Sequence, residues 1–115
     1  MFATGKTTGT VLDAGEGVTH TVPIFEGYAI PHAITPIPIS GHHLTRYMLE
    51  LIKQIDPTQE WATAEHLKIN YGEVAMDYDA HLKGAKDNTR DETYILPGGN
   101  KITKNFRTAM IECPE

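Results

Sequence analysis

The residues between Asp13 and His20 combine the chemical groups needed to hold a phosphate. Gly15 and Gly17 stand at alternate positions, which lets the backbone turn tightly and aim several N–H groups at one phosphate oxygen. Asp13 ends the incoming strand-like run, and its carboxylate could hold a hydrated divalent metal. His20 could orient a water molecule for attack on the phosphate. The same pattern is also typical of a plain β-hairpin whose glycines only satisfy turn geometry, so the residues alone leave both interpretations open.

Two positions outside this segment could also face an anion. Ser40 and Gly41 precede a helical pattern, where backbone N–H groups can approach an anion, although ordinary helix capping explains them equally simply. Lys68 could contact a nucleotide, but a lone lysine on a helix is usually solvated. Both positions therefore need support from something other than their residue types.

Other reactive residue types predict no site. Gly5-Lys6-Thr7 lacks the earlier glycine and the preceding strand of a phosphate loop. Cys113 is the single cysteine, so it has neither a disulfide partner nor zinc-site spacing. The six histidines include no pair with the spacing of a helical zinc motif, which favours surface or capping roles; they are His20, His32, His42, His43, His66 and His81.

The first third of the chain has the texture of β-structure. Residues 7–24 are rich in Thr, Val, Leu and Ile and are interrupted by the glycine-rich segment, which predicts a hairpin with its turn at residues 13–17. Gly27 predicts a second turn. Prolines keep residues 28–39 out of any helix and favour short extended pieces.

The middle of the chain predicts helices. A helix from about Gly41 to Ile55 is indicated by an apolar stripe at helical spacing, with Ser40 as N-cap and Asp56-Pro57 as stop. The stripe consists of Leu44, Tyr47, Met48, Leu51, Ile52 and Ile55. A second helix is predicted from near Thr58 or Trp61 toward Asn70. Val74, Tyr78 and Leu82, spaced by four, indicate a third that ends around Gly84.

The last part predicts a surface loop followed by a short hairpin. Residues 83–92 are charged and polar, residues 93–96 read as a strand, residues 97–100 as a tight turn and residues 101–103 as the return strand. The fold class is therefore α/β. It divides into a β-rich part (1–40), a helical part (41–92) and a short hairpin with the C-terminal segment (93–115).

Composition is that of an ordinary soluble domain. The chain has 115 residues, of which 40% are hydrophobic and 22% charged. A formal net charge of −5 weighs against general binding to nucleic acid or to anionic lipid. The longest apolar region contains three prolines and falls short of the ~20 residues of a membrane helix. A single cysteine suits a reducing compartment, so we expect a soluble, intracellular protein with neither nucleic acid nor membrane as partner.

The run TTGTVLDAGEGVTHTVPIFEGYAIPHAI, residues 7–34, resembles actin almost residue for residue. The similarity continues more loosely to Cys113-Pro114-Glu115, so it spans the chain. The resemblance implies an actin-like ATPase fold of the ribonuclease H-like class, of which this chain would be an incomplete domain at the start of the second half. It also implies an ATP-binding cytoskeletal protein of the cytoplasm that hydrolyses ATP slowly with Mg²⁺. Its partners would be actin-like protomers in a filament and actin-binding proteins.

The resemblance also implies roles for individual residues. Asp13 matches the aspartate that binds the hydrated metal, and His20 matches the histidine that helps to place the attacking water. Gly41 matches a glycine near the nucleotide, and Lys68 a lysine that packs against adenosine. The phosphate-holding loop matches Gly15, Glu16, Gly17 and Val18.

Departures from the actin pattern bear on the same site. Actin usually has serine and aspartate where this chain has Ala14 and Glu16, so one hydroxyl contact to phosphate is lost, at a cost of about 1.5–3 kcal/mol. The chain is several residues shorter than actin between Glu65 and Lys68, and residues 104–111 are rewritten.

The first half of actin would supply the other wall of the cleft. Because enclosing a nucleotide needs donors on both sides, we expect the chain alone to bind ATP weakly or not at all and to hydrolyse none. The leading hypothesis is thus a fragment of an actin-like filament protein. The alternatives are a non-enzymatic interaction module that binds actin or its partners without nucleotide, and a fragment with no stable fold, since half a sheet exposes an edge.

Overall fold

The structure is a computed structural model that describes residues 4–88, 90–96 and 99–115. The chain forms two compact units, Met1–His43 and Leu44–Glu115. The division falls in the first turn of a helix that begins at Gly41.

The first unit is a small antiparallel sheet. Strand β1 (Gly9–Ala14) pairs along its length with β2 (Thr19–Phe25), so the predicted hairpin is confirmed. Its turn lies at residues 15–18 rather than 13–17, because Asp13 and Ala14 are paired with β2. The opposite edge of β2 carries two short strands, β3 (Tyr28–Ala29) and β4 (Thr35–Ile37). A single 3-10 turn, Pro31–Ala33, connects them. The prolines thus leave short extended pieces here, as predicted.

The turn predicted at Gly27 is confirmed. Glu26 and Gly27 both have positive φ, 48° and 85°, which matches the right-handed twist of the strands that a two-residue hairpin joins. The Gly27 N–H donates to the Thr7 carbonyl at 2.7 Å, and the Glu26 N–H donates to Thr8 Oγ1 at 3.1 Å. These bonds tie the segment before β1 to the turn.

Helix α1 spans Gly41–Ile55, the range predicted from the apolar stripe. The centre of the stripe is buried, with Met48 and Ile52 at 0% exposure, whereas Tyr47 and Ile55 at its borders are 43% and 40% exposed. The helix therefore presents a narrower apolar face than the stripe predicts.

The second unit contains most of the remaining helices. Helix α2 covers Trp61–Tyr71, close to its predicted range. Helix α3 covers Tyr78–Asp87, so the predicted end near Gly84 is wrong and residues 83–87 are helical rather than loop. The Asp77 side chain caps α3 by accepting from the Ala80 N–H at 3.2 Å, which explains why Val74 lies before the helix.

The chain ends in a short hairpin and a helix. Strand β5 (Glu92–Ile95) pairs with β6 (Lys101–Lys104), confirming the predicted strands. The predicted turn between them lies partly outside the described residues. Helix α4 (Arg107–Glu112) follows and is not predicted from the sequence.

The hydrophobic core of the described residues lies in the second unit. Side chains of α1, α2, α4 and β5 build it together with Phe106 and Cys113; its members are Met48, Leu51, Ile52, Ala64, Leu67, Tyr94, Phe106, Ala109, Met110 and Cys113. In the part of the chain that is described, no helix has the length and apolarity to cross a membrane.

Candidate functional site

The turn between β1 and β2 is closed by one backbone hydrogen bond. The Gly15 N–H donates to the Val18 carbonyl at 2.9 Å. This bond draws the four residues of the loop into a tight bend between the last residue of β1 and the first of β2. The glycine-rich segment is therefore a compact turn at the end of the hairpin.

The beginning of α1 holds this turn by its carbonyl groups. The Gly41 N–H donates to Gly15 O at 3.0 Å, and the His42 N–H donates to Glu16 O at 2.7 Å. These two helix N–H groups, which the sequence suggested as a place for an anion, are thus bonded to the turn itself. The helix acts here as a support for the turn.

The same bonds determine where the N–H groups of the turn point. No peptide bond in the described chain is cis, and in a trans peptide the N–H points opposite to the preceding carbonyl. Because the carbonyls of Gly15 and Glu16 face α1, the N–H groups of Glu16 and Gly17 face the opposite way, together. The Gly17 N–H makes no backbone hydrogen bond to any described residue. Two neighbouring N–H groups aimed to one side are the arrangement that suits an anionic oxygen.

Gly41 permits the close contact between helix and turn. A Cβ at this position would lie 3.2 Å from Glu16 Cα and 3.4 Å from Gly15 O, both backbone atoms. It would also lie 2.5 Å from Glu16 Oε2. A larger residue would therefore push the turn away from the helix.

Asp13 and His20 are brought together by the register of the hairpin. They are directly opposite each other on β1 and β2. Facing residues of an antiparallel pair extend their side chains to the same side of the sheet, with Cβ atoms roughly 4.5–5.5 Å apart. Asp13 is exposed and His20 is half-buried. A carboxylate and an imidazole thus share one face of the sheet beside the turn.

A cavity of about 430 Å³ lies next to the turn. Its walls are mainly apolar and include Val18 and Pro36, while His20, Ser40 and His43 contribute polar groups. His20 therefore borders a concave surface of the first unit rather than a flat one.

The position of His43 follows from the cap of α1. The Ser40 N–H donates to His43 Nδ1 at 3.1 Å, and Ser40 Oγ lies 2.8 Å from the same nitrogen. Because Nδ1 accepts from a backbone N–H, the ring proton of the neutral imidazole belongs on Nε2. Ser40 is buried. The His43 ring thus accepts from the N–H of the residue before α1, in the place that Glu or Gln usually takes in a capping box, while the role of Ser40 as N-cap stays a prediction.

Lys68 belongs to the second unit and makes an internal contact there. Its Nζ donates to Thr45 Oγ1 at 2.7 Å, and Thr45 is fully buried. Nearby, the Cys113 thiol donates to the Leu44 carbonyl at 3.2 Å. Burial raises the pKa of Cys113, which opposes formation of a reactive thiolate.

The donors of the first unit fit a phosphate with its metal. Space around Gly17 is open, since a Cβ there would meet nothing within 4 Å. The exposed Asp13 supplies an oxygen ligand of the kind that Mg²⁺ takes, usually one or two carboxylates together with waters and phosphate oxygens. Within residues 4–88, 90–96 and 99–115 no group of three metal-binding side chains was found.

One contributor to this arrangement was missed from the sequence. His42 supports the turn through its backbone N–H, so the type of its side chain gives no sequence signal for this contact. Gly41 did give a sequence signal, because a glycine at the first residue of a helix indicates a close approach of another chain segment.

The described residues thus define a mixed α/β protein in which the start of a helix supports a glycine turn. A family model described as Actin matches residues 1–115. The chain therefore belongs to the actin family, as the resemblance of residues 7–34 indicates. Membership makes it an actin-like protein of the cytoskeletal class.

Proposed function

We propose that this chain contributes the phosphate-binding hairpin of the nucleotide cleft in an actin-like, ATP-binding filament protein of the cytoplasm. The observation that carries the proposal is the direction of the turn peptides. Their carbonyls are bonded to the first two N–H groups of α1, so the N–H groups of Glu16 and Gly17 face the other side. ATP or ADP with Mg²⁺ is the proposed ligand, and it would supply the phosphoryl groups and the metal charge.

Each residue of the turn has a defined task in this proposal. The N–H groups of Glu16, Gly17 and Val18 bind phosphate oxygens, and the open space at Gly17 lets the ligand approach the backbone. The Asp13 carboxylate binds the metal or accepts hydrogen bonds from its waters. His20, on the same face of the sheet, orients the attacking water.

Gly41 and Lys68 have supporting tasks. Gly41 lets the helix approach the turn and so keeps the peptide groups oriented. The stem of Lys68 packs against the adenosine, while its ammonium group stays on Thr45.

The donors that we assign among the described residues approach the phosphate from one side, that of the turn. Catalysis of phosphoryl transfer requires preorganised groups around the transferred phosphoryl. We therefore propose that the chain by itself binds Mg-ATP with a Kd on the order of 1 mM or weaker, about −4 kcal/mol, and does not hydrolyse it.

A paramagnetic metal tests the role of Asp13. With ATP present, Mn²⁺ in place of Mg²⁺ should selectively broaden the NMR signals of Asp13 and of the turn. The variant Asp13→Asn should reduce this broadening strongly, whereas the control Asp79→Asn, on the exposed first turn of α3, should leave it unchanged. Broadening that spares the turn, or that survives in Asp13→Asn, would contradict the proposal.

A second candidate function is an interaction module that binds actin or its partners without nucleotide. It is favoured by Phe25 and Tyr28, which face each other across β2 and β3 and are 57% and 79% exposed. Such a module should sediment with actin filaments equally well with and without ATP, and Tyr28→Ser should weaken that binding. Failure to sediment under both conditions would remove this candidate.

A further inference from the structure

The ring of His43 bonds back to the residue that precedes α1. Its Nδ1 accepts from the Ser40 N–H at 3.1 Å and lies 2.8 Å from Ser40 Oγ. Ser40 is 4% exposed, so water has little access to this residue. The bond requires a neutral ring, because a protonated imidazole carries a proton on both nitrogens and accepts at neither. A change in the charge of His43 therefore removes the acceptor of a poorly solvated N–H group.

The two residues between Ser40 and His43 are the ones that hold the glycine turn. The N–H groups of Gly41 and His42 donate to the Gly15 and Glu16 carbonyls at 3.0 Å and 2.7 Å. Three successive backbone N–H groups are thus fixed at this point, the first by the His43 ring and the next two by the turn. Loss of the first bond releases the residue directly before the two donors that orient the turn.

Titratable and charged groups near this ring come from α1, from the hairpin and from the turn; they are His42, Arg46, His20, Asp13 and Glu16. The His42 ring stands edge-on to His43 at 5.8 Å, and His20 lines the same cavity as His43. The positive end of the helix dipole opposes a cation at this place, whereas the carboxylates favour one. Histidine side chains change charge between about pH 5 and 8, so the effect of His43 has to be separated from those of His20 and His42.

We propose that His43 is a positioning residue for the phosphate-binding turn, and that protonation of its ring weakens phosphate binding by releasing the Ser40 N–H. This inference rests on the proposed function of the turn. With the neutral ring, the bond holds the start of α1 in place, and the turn N–H groups stay aimed at the phosphate. With the protonated ring, two N–H groups face each other and the Ser40 backbone turns away. Binding of Mg-ATP therefore declines as the pH falls from about 8 to 5.

Hydrogen exchange without nucleotide tests the positioning role. In the full chain, the protection factors of the Gly41 and His42 amides should fall severalfold between about pH 7.5 and 5.5. His43→Gln should keep them constant, because glutamine serves as the acceptor at this place of a capping box and does not titrate. His43→Leu, which has no acceptor, should give low protection at both pH values. The control His32→Gln, on an exposed histidine of the 3-10 turn, should leave the decline as it is in the parent chain.

Titration with Mg-ATP, followed by NMR at the same two pH values, tests the consequence for binding. Protonation of ATP and of His20 affects the parent chain and His43→Gln alike, so the difference between these two chains reports on His43. The Kd of the parent should rise roughly fivefold more than that of His43→Gln on acidification, the size of one lost hydrogen bond. Equal pH dependence of the two chains, with the turn amides still shifted by Mg-ATP, would overturn the inference alone. Turn amides that Mg-ATP leaves unshifted in every chain would overturn the proposed function, and the inference with it.

Discussion

Gly41 and Glu16 are so close that a Cβ on residue 41 would lie 3.2 Å from the Glu16 Cα. This contact joins the first residue of α1 to the glycine turn, and the bonds from Gly41 to Gly15 and from His42 to Glu16 accompany it. The orientation of the turn N–H groups depends on these three contacts. A substitution at Gly41 should therefore alter the proposed phosphate site, although Gly41 itself binds no phosphate in the proposal.

Gly41→Ala should destabilise this junction. The added methyl group meets backbone atoms of Glu16 and Gly15, which must shift, and we expect a loss of about 1 kcal/mol of unfolding free energy. The matched control is Gly84→Ala within α3, where a Cβ meets nothing within 4 Å. That change should stabilise by about 0.5–1 kcal/mol, because alanine favours a helix over glycine. Denaturant unfolding followed by circular dichroism measures both, and equal effects of the two variants would contradict the close contact.

The first and last helices differ in how much of them could be predicted. Helix α1 is marked by fifteen residues with an apolar stripe, a serine before it and Asp56-Pro57 after it, and its predicted and observed ranges agree. Helix α4 has only six residues, and its N-cap Phe106 provides no side-chain hydrogen bond. It is stabilised by burial of Ala109, Met110 and Ile111, which depends on tertiary contacts that a local pattern does not contain.

The candidate site, too, could be predicted only in part from the sequence. The residue types of the glycine turn, of Asp13 and of His20 indicated phosphate chemistry from the sequence. The register that places Asp13 opposite His20 was not predicted, because it requires a turn at residues 15–18 and the sequence pattern placed the turn at residues 13–17. The attachment of the turn to α1 could not be predicted, because it uses backbone carbonyl and N–H groups that every residue type carries. The Lys68 contact with Thr45 joins two helices, and no local pattern encodes it.

Thr45→Val should weaken the second unit. The buried hydroxyl accepts a hydrogen bond from the Lys68 ammonium at 2.7 Å, and valine keeps the shape but not the acceptor. We expect a loss of about 1–2 kcal/mol in unfolding free energy. Thr63→Val on α2 is the control for the same replacement in a helix and should change stability by less than about 0.5 kcal/mol. If the two variants are alike, the Lys68 contact contributes nothing to stability.

Tyr94→Phe should change the stability of the protein at alkaline pH. Burial, with a smaller contribution from the Glu92 carboxylate, raises the pKa of Tyr94 from 10.0 to about 12. Between these values the folded state keeps a proton that the unfolded state has lost, so stability falls as the pH rises from 10 through 12, by up to about 2–3 kcal/mol. Tyr94→Phe should remove this part of the decline while costing little at neutral pH, because the hydrogen bond that the hydroxyl donates to Glu92 is long, at 3.4 Å. An unchanged alkaline decline in the variant would show that Tyr94 titrates normally.

Asp56→Asn should change the stability at acid pH. Hydrogen bonds from the Thr58 hydroxyl at 2.6 Å and from the Gln59 amide at 2.9 Å lower the pKa of Asp56 below 3.8. A lowered pKa contributes stability that is present above 3.8 and is lost as the pH falls through the lower folded value. The stability difference between the parent chain and Asp56→Asn should therefore shrink below pH 3.8. Thermal unfolding at several pH values measures it, and a difference that is constant with pH would exclude the carboxylate as its source.

The most direct measurement of the central claim is the change in backbone amide chemical shifts when Mg-ATP is added to the chain. Two-dimensional NMR should show the largest shifts at Glu16, Gly17 and Val18, with a Kd on the order of 1 mM or weaker. The amide of Gly41, which is bonded to the turn carbonyl, should respond less than these. Saturating shifts that leave Glu16, Gly17 and Val18 unchanged would contradict the claim that the turn is the phosphate-binding element.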